Sequence, residues 1–322
     1  MQNLQAALET ASAPLVDPGG ERRFALYAWA VLAYNLLVIL WGALVRVTGS
    51  GAGCGDHWPL CNGVVTPLSS GAQRFIEFTH RAMSGLDLAL VAILVGWALR
   101  SFHGGHIVRF GAALSGVFLI TEAAIGAGLV LLKLVVGDAT AWSQSLHLLN
   151  TLALLACLGL TAWWASGQKA ARLRRRVAWT SSAALVLFAL LIVSGVIAAL
   201  GDTLFPVRSL SEGFAQDFNP SANVFLKLRI WHPVLAVAVA LWVLFYALAA
   251  VTGGGTARKL GGIVLAIMLF QLAAGSMTLL LLAPLWLQLT HVLLADLLWI
   301  AMVLLVAERS NAACPFPGRL VL

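Results

Sequence analysis

Eight long apolar segments limit what this chain can fold into more than any other feature of its sequence. A helix needs about 20 mostly apolar residues to cross the hydrocarbon core of a bilayer. The windows that meet this requirement are 24–45, 75–100, 107–133, 141–165, 176–200, 226–251, 259–283 and 285–307. Only 10% of the residues are charged, against about 25% in soluble domains. We therefore predict an all-α integral membrane protein with eight transmembrane helices, the last two separated by a turn at Pro284.

The basic residues lie mainly in the short segments between these windows, as topology signals do. If the N-terminus is inside, 13 of the 20 Lys and Arg residues fall on the inner side, including the run RLRRR at 172–176. The positive-inside rule then predicts a multi-pass protein of the cell inner (plasma) membrane with both termini cytoplasmic. Because this distribution accounts for the net charge of +7, we do not expect nucleic-acid binding.

The windows form two groups of four that resemble each other weakly. Glu122-Ala-Ala-Ile-Gly126 resembles Gln271-Leu-Ala-Ala-Gly275, and Gln144-Ser-Leu-His147 resembles Gln288-Leu-Thr-His291. Four spans per copy is an even number, so the two copies share one orientation in the membrane. We predict two pseudo-symmetric four-helix bundles on this basis.

The predicted boundaries follow from the spans. The N-terminal bundle is 24–165, a basic cytoplasmic linker is 166–175, and the C-terminal bundle is 176–307. Cytoplasmic tails, 1–23 and 308–322, flank the bundles. Residues 1–23 lack a basic segment followed by an apolar core, so we do not expect a signal peptide there.

Four histidines lie within the even-numbered spans, each about six residues after the predicted outer end and so roughly 9 Å deep. They are His80, His147, His232 and His291. One such histidine would most simply be a packed, hydrogen-bonded residue, but ionisable groups inside a bilayer are costly and usually functional. A matched set of two per bundle predicts ligands of a cofactor in each bundle core. Two axial histidines fit heme iron better than a dinuclear carboxylate site, for which only Glu77 lies close.

The polar stretch GAGCGDHWPLCNG, 51–63, lies between the first two spans and is predicted to face the outside. In an oxidising compartment Cys54 and Cys61 can form a disulfide. A free or redox-cycling thiol pair and a zinc site that includes His57 stay open, although three ligands at this spacing are not a standard zinc site. Covalent heme attachment would need a C-x-x-C-H motif, which is absent.

Several charged residues lie near the level of the histidines. Glu77 precedes His80 by three residues, shares its helix face and is our candidate catalytic residue. Its counterpart in the second half is Arg229. Five cations on the outer side could contact heme propionates or simply reach lipid headgroups: Arg46, Arg74, Arg81, Lys227 and Arg229.

Four further polar residues lie deeper in the spans. They could carry protons or only hydrogen-bond between helices, and these are Asp87, Glu122, Asn150 and Asp296.

Three segments taken together closely resemble the heme A synthase family: Gly42-Ala-Leu-Val-Arg-Val-Thr-Gly-Ser50, Cys54-Gly-Asp-His-Trp-Pro-Leu-Cys61-Asn-Gly63 and Glu77-Phe-Thr-His80-Arg81. The resemblance extends over the chain, with eight spans in two halves and one histidine on each even-numbered span. It implies a membrane oxidoreductase that converts heme O to heme A by oxidising a methyl group to a formyl. The product would supply cytochrome oxidases of the aa3 type.

The resemblance also implies residue roles. The first half would receive the substrate heme on His80 and His147, with Glu77 beside the iron. The second half would carry heme b on His232 and His291.

The resemblance treats the outer pair, Cys54 and Cys61, as a disulfide or a redox-active pair. Some family members have a second cysteine pair between the fifth and sixth spans. This sequence has none there, so a mechanism that needs two pairs could not operate.

The implied partners are heme O, a heme O synthase, an electron donor and the lipid bilayer, and a homo-oligomer is compatible with these features. Two other classes of function use the same histidines. A bis-histidine cytochrome b would pass electrons from quinol and would not need Glu77. A heme carrier for oxidase assembly would bind heme without changing it.

Overall fold

The computed structural model describes residues 18–55, 58, 60, 61, 63, 71–134, 139–168 and 175–312. His57, Cys314 and most of the basic linker lie outside the described residues. The helices are α1 (Pro18–Val47), α2 (Ala72–Ser101), α3 (Ile107–Leu131), α4 (Ala139–Ala165), α5 (Arg175–Leu204), α6 (Leu210–Asp217), α7 (Val224–Arg229), α8 (Trp231–Val251), α9 (Gly255–Leu280) and α10 (Leu285–Ala312).

Eight spans are long and apolar enough to cross a membrane, as the sequence predicts. Seven of them are single helices, and α7 together with α8 makes the remaining one. The described part of the chain contains no β-strand. The turn predicted at Pro284 is present, since α9 ends at Leu280 and α10 begins at Leu285.

The break between α7 and α8 was not predicted. It lies at Ile230, three residues before Pro233. Proline has no amide hydrogen to donate to the carbonyl four residues earlier, here Arg229, and its ring crowds that carbonyl. The helix therefore restarts at Trp231, next to His232, whereas α2 runs unbroken through His80.

Helix contacts fall into two rings. In the first, α1 packs on α2, α2 on α3, α3 on α4 and α4 on α1. In the second, α5 packs on α7 and α8, α8 on α9, α9 on α10 and α10 on α5. The rings meet through α4 with α10, α4 with α5, and α1 with α10. The fourth and eighth spans are consequently the most buried ones.

Side chains at this junction interlock across the two rings. The Trp299 indole N–H on α10 donates to the Leu152 carbonyl on α4 at 2.8 Å. The Trp299 ring also stacks on Phe188 of α5, with centroids 6.1 Å apart. Without water to compete, such a hydrogen bond satisfies the indole and holds the helices in register.

A matched pair of leucines tests this packing. Leu155 on α4 is 0% exposed, whereas Leu269 on α9 is 65% exposed. Leu155→Ala should lower the free energy of unfolding by about 2–5 kcal/mol, because it leaves a cavity in packed protein. Leu269→Ala should be close to neutral, because its side chain faces lipid or detergent. Thermal unfolding in one detergent measures both, and equal losses would contradict the central position of α4.

Candidate functional site

The four intramembrane histidines lie at similar distances from their helix starts. His80, His147 and His232 each follow the first residue of their span by eight positions, and His291 follows Leu285 by six. At 1.5 Å per residue these are depths of roughly 9–12 Å. All four therefore lie near the end of the molecule that carries the Cys54–Cys61 loop.

Each histidine ring packs against a glycine of the preceding span, a relation that the sequence analysis missed. A methyl group added to the glycine would approach the Cε1 atom of the ring to 3.0 Å at Gly42–His80, 3.8 Å at Gly126–His147, 3.0 Å at Gly195–His232 and 2.9 Å at Gly275–His291. Three of the four glycines thus allow a ring position that any larger residue would obstruct. The repeated Gly126 and Gly275 in the two sequence echoes were the available signal.

In the second half, the two histidine rings lie close together in an edge-to-face arrangement. The centroids of His232 and His291 are 6.5 Å apart and their planes are perpendicular. Because a metal–imidazole bond is about 2 Å long, two rings that share one metal ion have centroids about 6 Å apart. The observed separation fits one shared ion.

The other polar contacts of these two rings are neutral. His232 Nδ1 lies 2.9 Å from the Ser194 hydroxyl. His291 Nδ1 is buried without a hydrogen bond, and its Nε2 lies 3.4 Å from the Gln271 amide nitrogen.

In the first half, a carboxylate lies beside one ring. Glu122 Oε1 is 3.3 Å from His147 Nδ1, and that buried nitrogen has no hydrogen bond of good geometry. Thr151 donates to Glu122 Oε1, and Asn150 donates to Oε2 at 2.5 Å. His80 Nδ1 is buried and has no hydrogen-bond partner.

The donor set suits heme better than a bare metal ion. Across the described ranges, no three or more His, Cys, Asp or Glu side chains are grouped to hold an ion. Two histidines suffice when a porphyrin supplies the other ligands. The 6.5 Å separation of the His232 and His291 ring centroids fits such a group.

The loop above His80 is closed by the disulfide Cys54–Cys61. Its two sulfurs are therefore not thiolates, which excludes the zinc site considered above. Both cysteines are fully buried. The loop begins at Gly49, whose φ of 62° ends α1, and Gly53 lies so close to α2 that an added Cβ would come within 2.9 Å of the Gln73 backbone.

Glu77 and Arg81 attach this loop to α2. The Cys54 amide donates to Glu77 Oε2 at 2.7 Å. Arg81 donates to Glu77 Oε1 at 2.6 Å and to the Leu60 carbonyl at 2.9 Å. The Glu77 side chain is buried, and both of its oxygens are engaged in holding the loop.

Arg229 anchors a connecting segment in the second half, as Glu77 does in the first, although its charge is opposite. It donates to Asp202 at 2.8 Å and to Asp217 at 2.5 and 3.0 Å. Both Glu77 and Arg229 precede a site histidine by three residues. One helix position therefore anchors the connecting segment that precedes the helix in each half, a relation that was not predicted from the sequence.

The five cations considered as contacts of heme propionates differ in their hydrogen-bond partners. Arg81 and Arg229 are salt-bridged, Arg74 donates to the Gly53 carbonyl, and Lys227 donates to the Pro220 carbonyl. Arg46 differs from these four, because its Nη1 is buried without a hydrogen-bond partner.

The deeper acids have separate surroundings. Asp87 accepts a hydrogen bond from Asn35 at 2.5 Å, which joins α2 to α1. Asp296 Oδ2 is buried without a partner. Neither contacts a site histidine through a hydrogen bond in the described residues.

The anchoring of the loop predicts how fast its disulfide is reduced. Glu77→Gln and Arg81→Gln should each speed reduction by a soluble phosphine, because a weaker tie opens the buried disulfide more often. Arg229→Gln is the matched control, because it loosens the segment before α7 and not the disulfide loop. It should leave the rate of disulfide reduction unchanged. Thiol labelling over time measures this, and equal rates in all proteins would contradict the anchoring role of Glu77.

Comparison with known proteins gives one family match and several relatives. The family described as COX15-CtaA, cytochrome oxidase assembly protein, matches residues 25–303. A protoheme IX farnesyltransferase of Thermus thermophilus is 46% identical over 293 residues, which are 89% of this chain and 48% of that protein. This chain thus spans about half the length of that relative.

Heme A synthases match over shorter stretches. The protein of Geobacillus kaustophilus is 43% identical over 112 residues, 34% of this chain and 35% of that protein. The protein of Exiguobacterium sibiricum is 33% identical over 109 residues, 34% of this chain and 37% of that protein. Since the family match runs from α1 to α10 and includes all four site histidines, this chain belongs to the COX15-CtaA family of cytochrome oxidase assembly proteins.

Proposed function

We propose that this chain is a heme A synthase, which oxidises a methyl group of heme O to a formyl and so makes heme A for an aa3-type cytochrome oxidase. The observation that carries the proposal is the pair of histidines in each half at one depth, backed by glycines, in a chain of this family. The names of the matching heme A synthases support the same activity.

The two halves have different roles in this proposal. His232 and His291 would hold a heme b. His80 and His147 would receive the iron of heme O, because the disulfide loop lies on that half alone.

The side chains of the first half would bind and position the substrate. Arg46 would bind a propionate by donating a hydrogen bond from its partnerless Nη1. The loop held by Glu77 would exclude water from the site. Glu77 as the catalytic residue stays a prediction, and its contacts support a positioning role first. Bound heme would supply the redox chemistry that protein side chains lack.

Electron balance explains the expected partners. Counted with water, a methyl group becomes a formyl group with release of four protons and four electrons. An electron acceptor is therefore needed if water supplies the oxygen atom, whereas the predicted electron donor would be needed if dioxygen supplies it. A heme O synthase would deliver the substrate. The T. thermophilus relative, named for farnesyl transfer to protoheme IX, is about twice as long as the matched region, which supports a link between the two steps.

The predicted topology belongs to the same proposal. Two pseudo-symmetric bundles, 24–165 and 176–307, would share an orientation, with both termini in the cytoplasm and the disulfide loop outside the inner membrane. The matching contact pattern of the two helix rings supports the two bundles, and the distribution of Lys and Arg supports the orientation.

The name of the T. thermophilus relative raises farnesyl transfer as a second activity. Prenyl transfer from a diphosphate uses Mg²⁺, which carboxylates hold. No two aspartates stand within a few residues of each other in this sequence. Asp202 and Asp217 do meet in space, but both are salt-bridged to Arg229, whose guanidinium lies against the carboxylates. The structure therefore favours heme oxidation in this chain over farnesyl transfer.

Pigment chemistry tests the activity. The chain is expressed with a source of heme O, and the non-covalent hemes are extracted and separated. The proposal predicts heme A, which should be absent without this chain. If heme O accumulates and heme A never forms, the synthase proposal is wrong and a cytochrome b or a heme carrier gains support. Appearance of heme O from protoheme alone would instead support farnesyl transfer.

The glycines predict a graded effect on heme binding. Gly275→Ala places a methyl group 2.9 Å from the His291 ring, so that ring must move. Overpacking of this kind costs about 1–3 kcal/mol, and heme affinity in the second half should fall accordingly. Gly126→Ala is the matched control, because its methyl group would make an ordinary 3.8 Å contact. Heme titration followed by absorbance measures both, and equal affinities would contradict the ring-backing role.

A further inference from the structure

We propose that Glu122 is a positioning residue that strengthens His147 as an iron ligand and so lowers the reduction potential of heme in the first half relative to the second. The inference rests on the proposed function, because it takes His147 as an axial ligand. It goes further in assigning a cause for different redox properties of two otherwise similar sites.

The Glu122 carboxylate is held in place from several sides. Oε1 accepts from the Thr151 hydroxyl and Oε2 from the Asn150 amide at 2.5 Å. Asn150 is itself fixed, since it also donates to the Phe118 carbonyl at 2.8 Å and accepts from Thr121 at 2.7 Å. These contacts join α3 to α4 and leave Oε1 3.3 Å from His147 Nδ1.

That arrangement leaves one ring nitrogen for iron. Because Glu122 lies beside Nδ1, the Nε2 atom of His147 is the one available to a metal. A carboxylate that accepts the N–H of the non-ligating nitrogen orients the ring and raises the basicity of the ligand. Glu122 Oε1, at 3.3 Å, would accept that hydrogen bond once iron fixes the orientation of the His147 ring. A more basic ligand stabilises ferric iron more than ferrous iron, which lowers the potential.

The second half lacks every part of this arrangement. Gln271 stands where Glu122 does, four residues before the glycine that backs the histidine. Asn150 and Thr151 follow His147 by three and four residues, but the residues at the same spacing after His291 are Leu294 and Ala295.

The partner of the other second-half ring is neutral too. His232 Nδ1 meets the Ser194 hydroxyl. A neutral amide and a hydroxyl thus replace the anion beside the rings of the second half.

A simpler role for Glu122 is a hydrogen bond between α3 and α4. That role would change stability when Glu122 is replaced, but it would not change the potential of a heme that still binds. The reduction potential therefore separates the two roles.

The experiment measures midpoint potentials of one heme at a time. His232→Ala with His291→Ala leaves the first-half site, and His80→Ala with His147→Ala leaves the second. Each purified full-length protein is loaded with ferric protoheme and titrated electrochemically in detergent. Glu122→Gln is made in the first-half background, with Asp87→Asn as the matched control, since Asp87 is a buried acid that contacts Asn35.

Glu122→Gln should raise the midpoint potential by at least 59 mV, a tenfold change in the one-electron equilibrium, and Asp87→Asn should change it much less. With Glu122 in place, the heme of the first half should have a lower midpoint potential than the heme of the second half. This comparison tests the inference even if the Glu122→Gln protein does not fold. An unchanged potential in Glu122→Gln, an equal shift in Asp87→Asn, or a higher potential in the first half would overturn it. If the first-half protein binds no heme at all, the proposed function fails and the inference falls with it.

Discussion

The hydrocarbon core of a membrane offers polar side chains no water, so each buried polar group must find a partner in the protein or in a ligand. The described spans meet this demand in most places: Asn35 bonds Asp87, Trp299 bonds a carbonyl, and Asn150 and Thr151 bond Glu122. Some buried atoms still lack a hydrogen-bond partner, among them Nδ1 of three site histidines: His80, His147 and His291. In the function proposed above, a role as iron ligands would explain why costly ionisable side chains recur at one depth in both halves.

The segments that precede α2 and α7 also need partners for their buried polar groups, and ion pairs and hydrogen bonds supply them. Glu77 and Arg229 occupy one helix position and have opposite charges, yet each ties down the segment above its own histidine. The disulfide loop and the Asp202–Asp217 segment thus cap the two halves by different chemistry. This asymmetry, together with Glu122 against Gln271, gives two similar rings of helices separate chemical environments.

Apolar length predicted all eight spans, because crossing a bilayer leaves little freedom in composition. The positions of the histidines were also predictable, since they are rare in such segments. The α7–α8 break could have been predicted from Pro233, and the repeat of Gly126 at Gly275 was a signal for two of the ring-backing glycines. Gly42 and Gly195 could not be told from ordinary helix-packing glycines without coordinates. The anchoring roles of Glu77 and Arg229 depend on loop residues distant in sequence, such as Cys54 and Asp217, which helix periodicity does not relate.

Heme content per chain tests the central claim most directly. The account predicts two hemes per fully loaded chain, and one after His80 and His147, or His232 and His291, are replaced together by alanine. Absorbance of extracted heme, set against protein mass from amino-acid analysis, gives this ratio. A heme content that stays unchanged when either pair is removed would contradict the account.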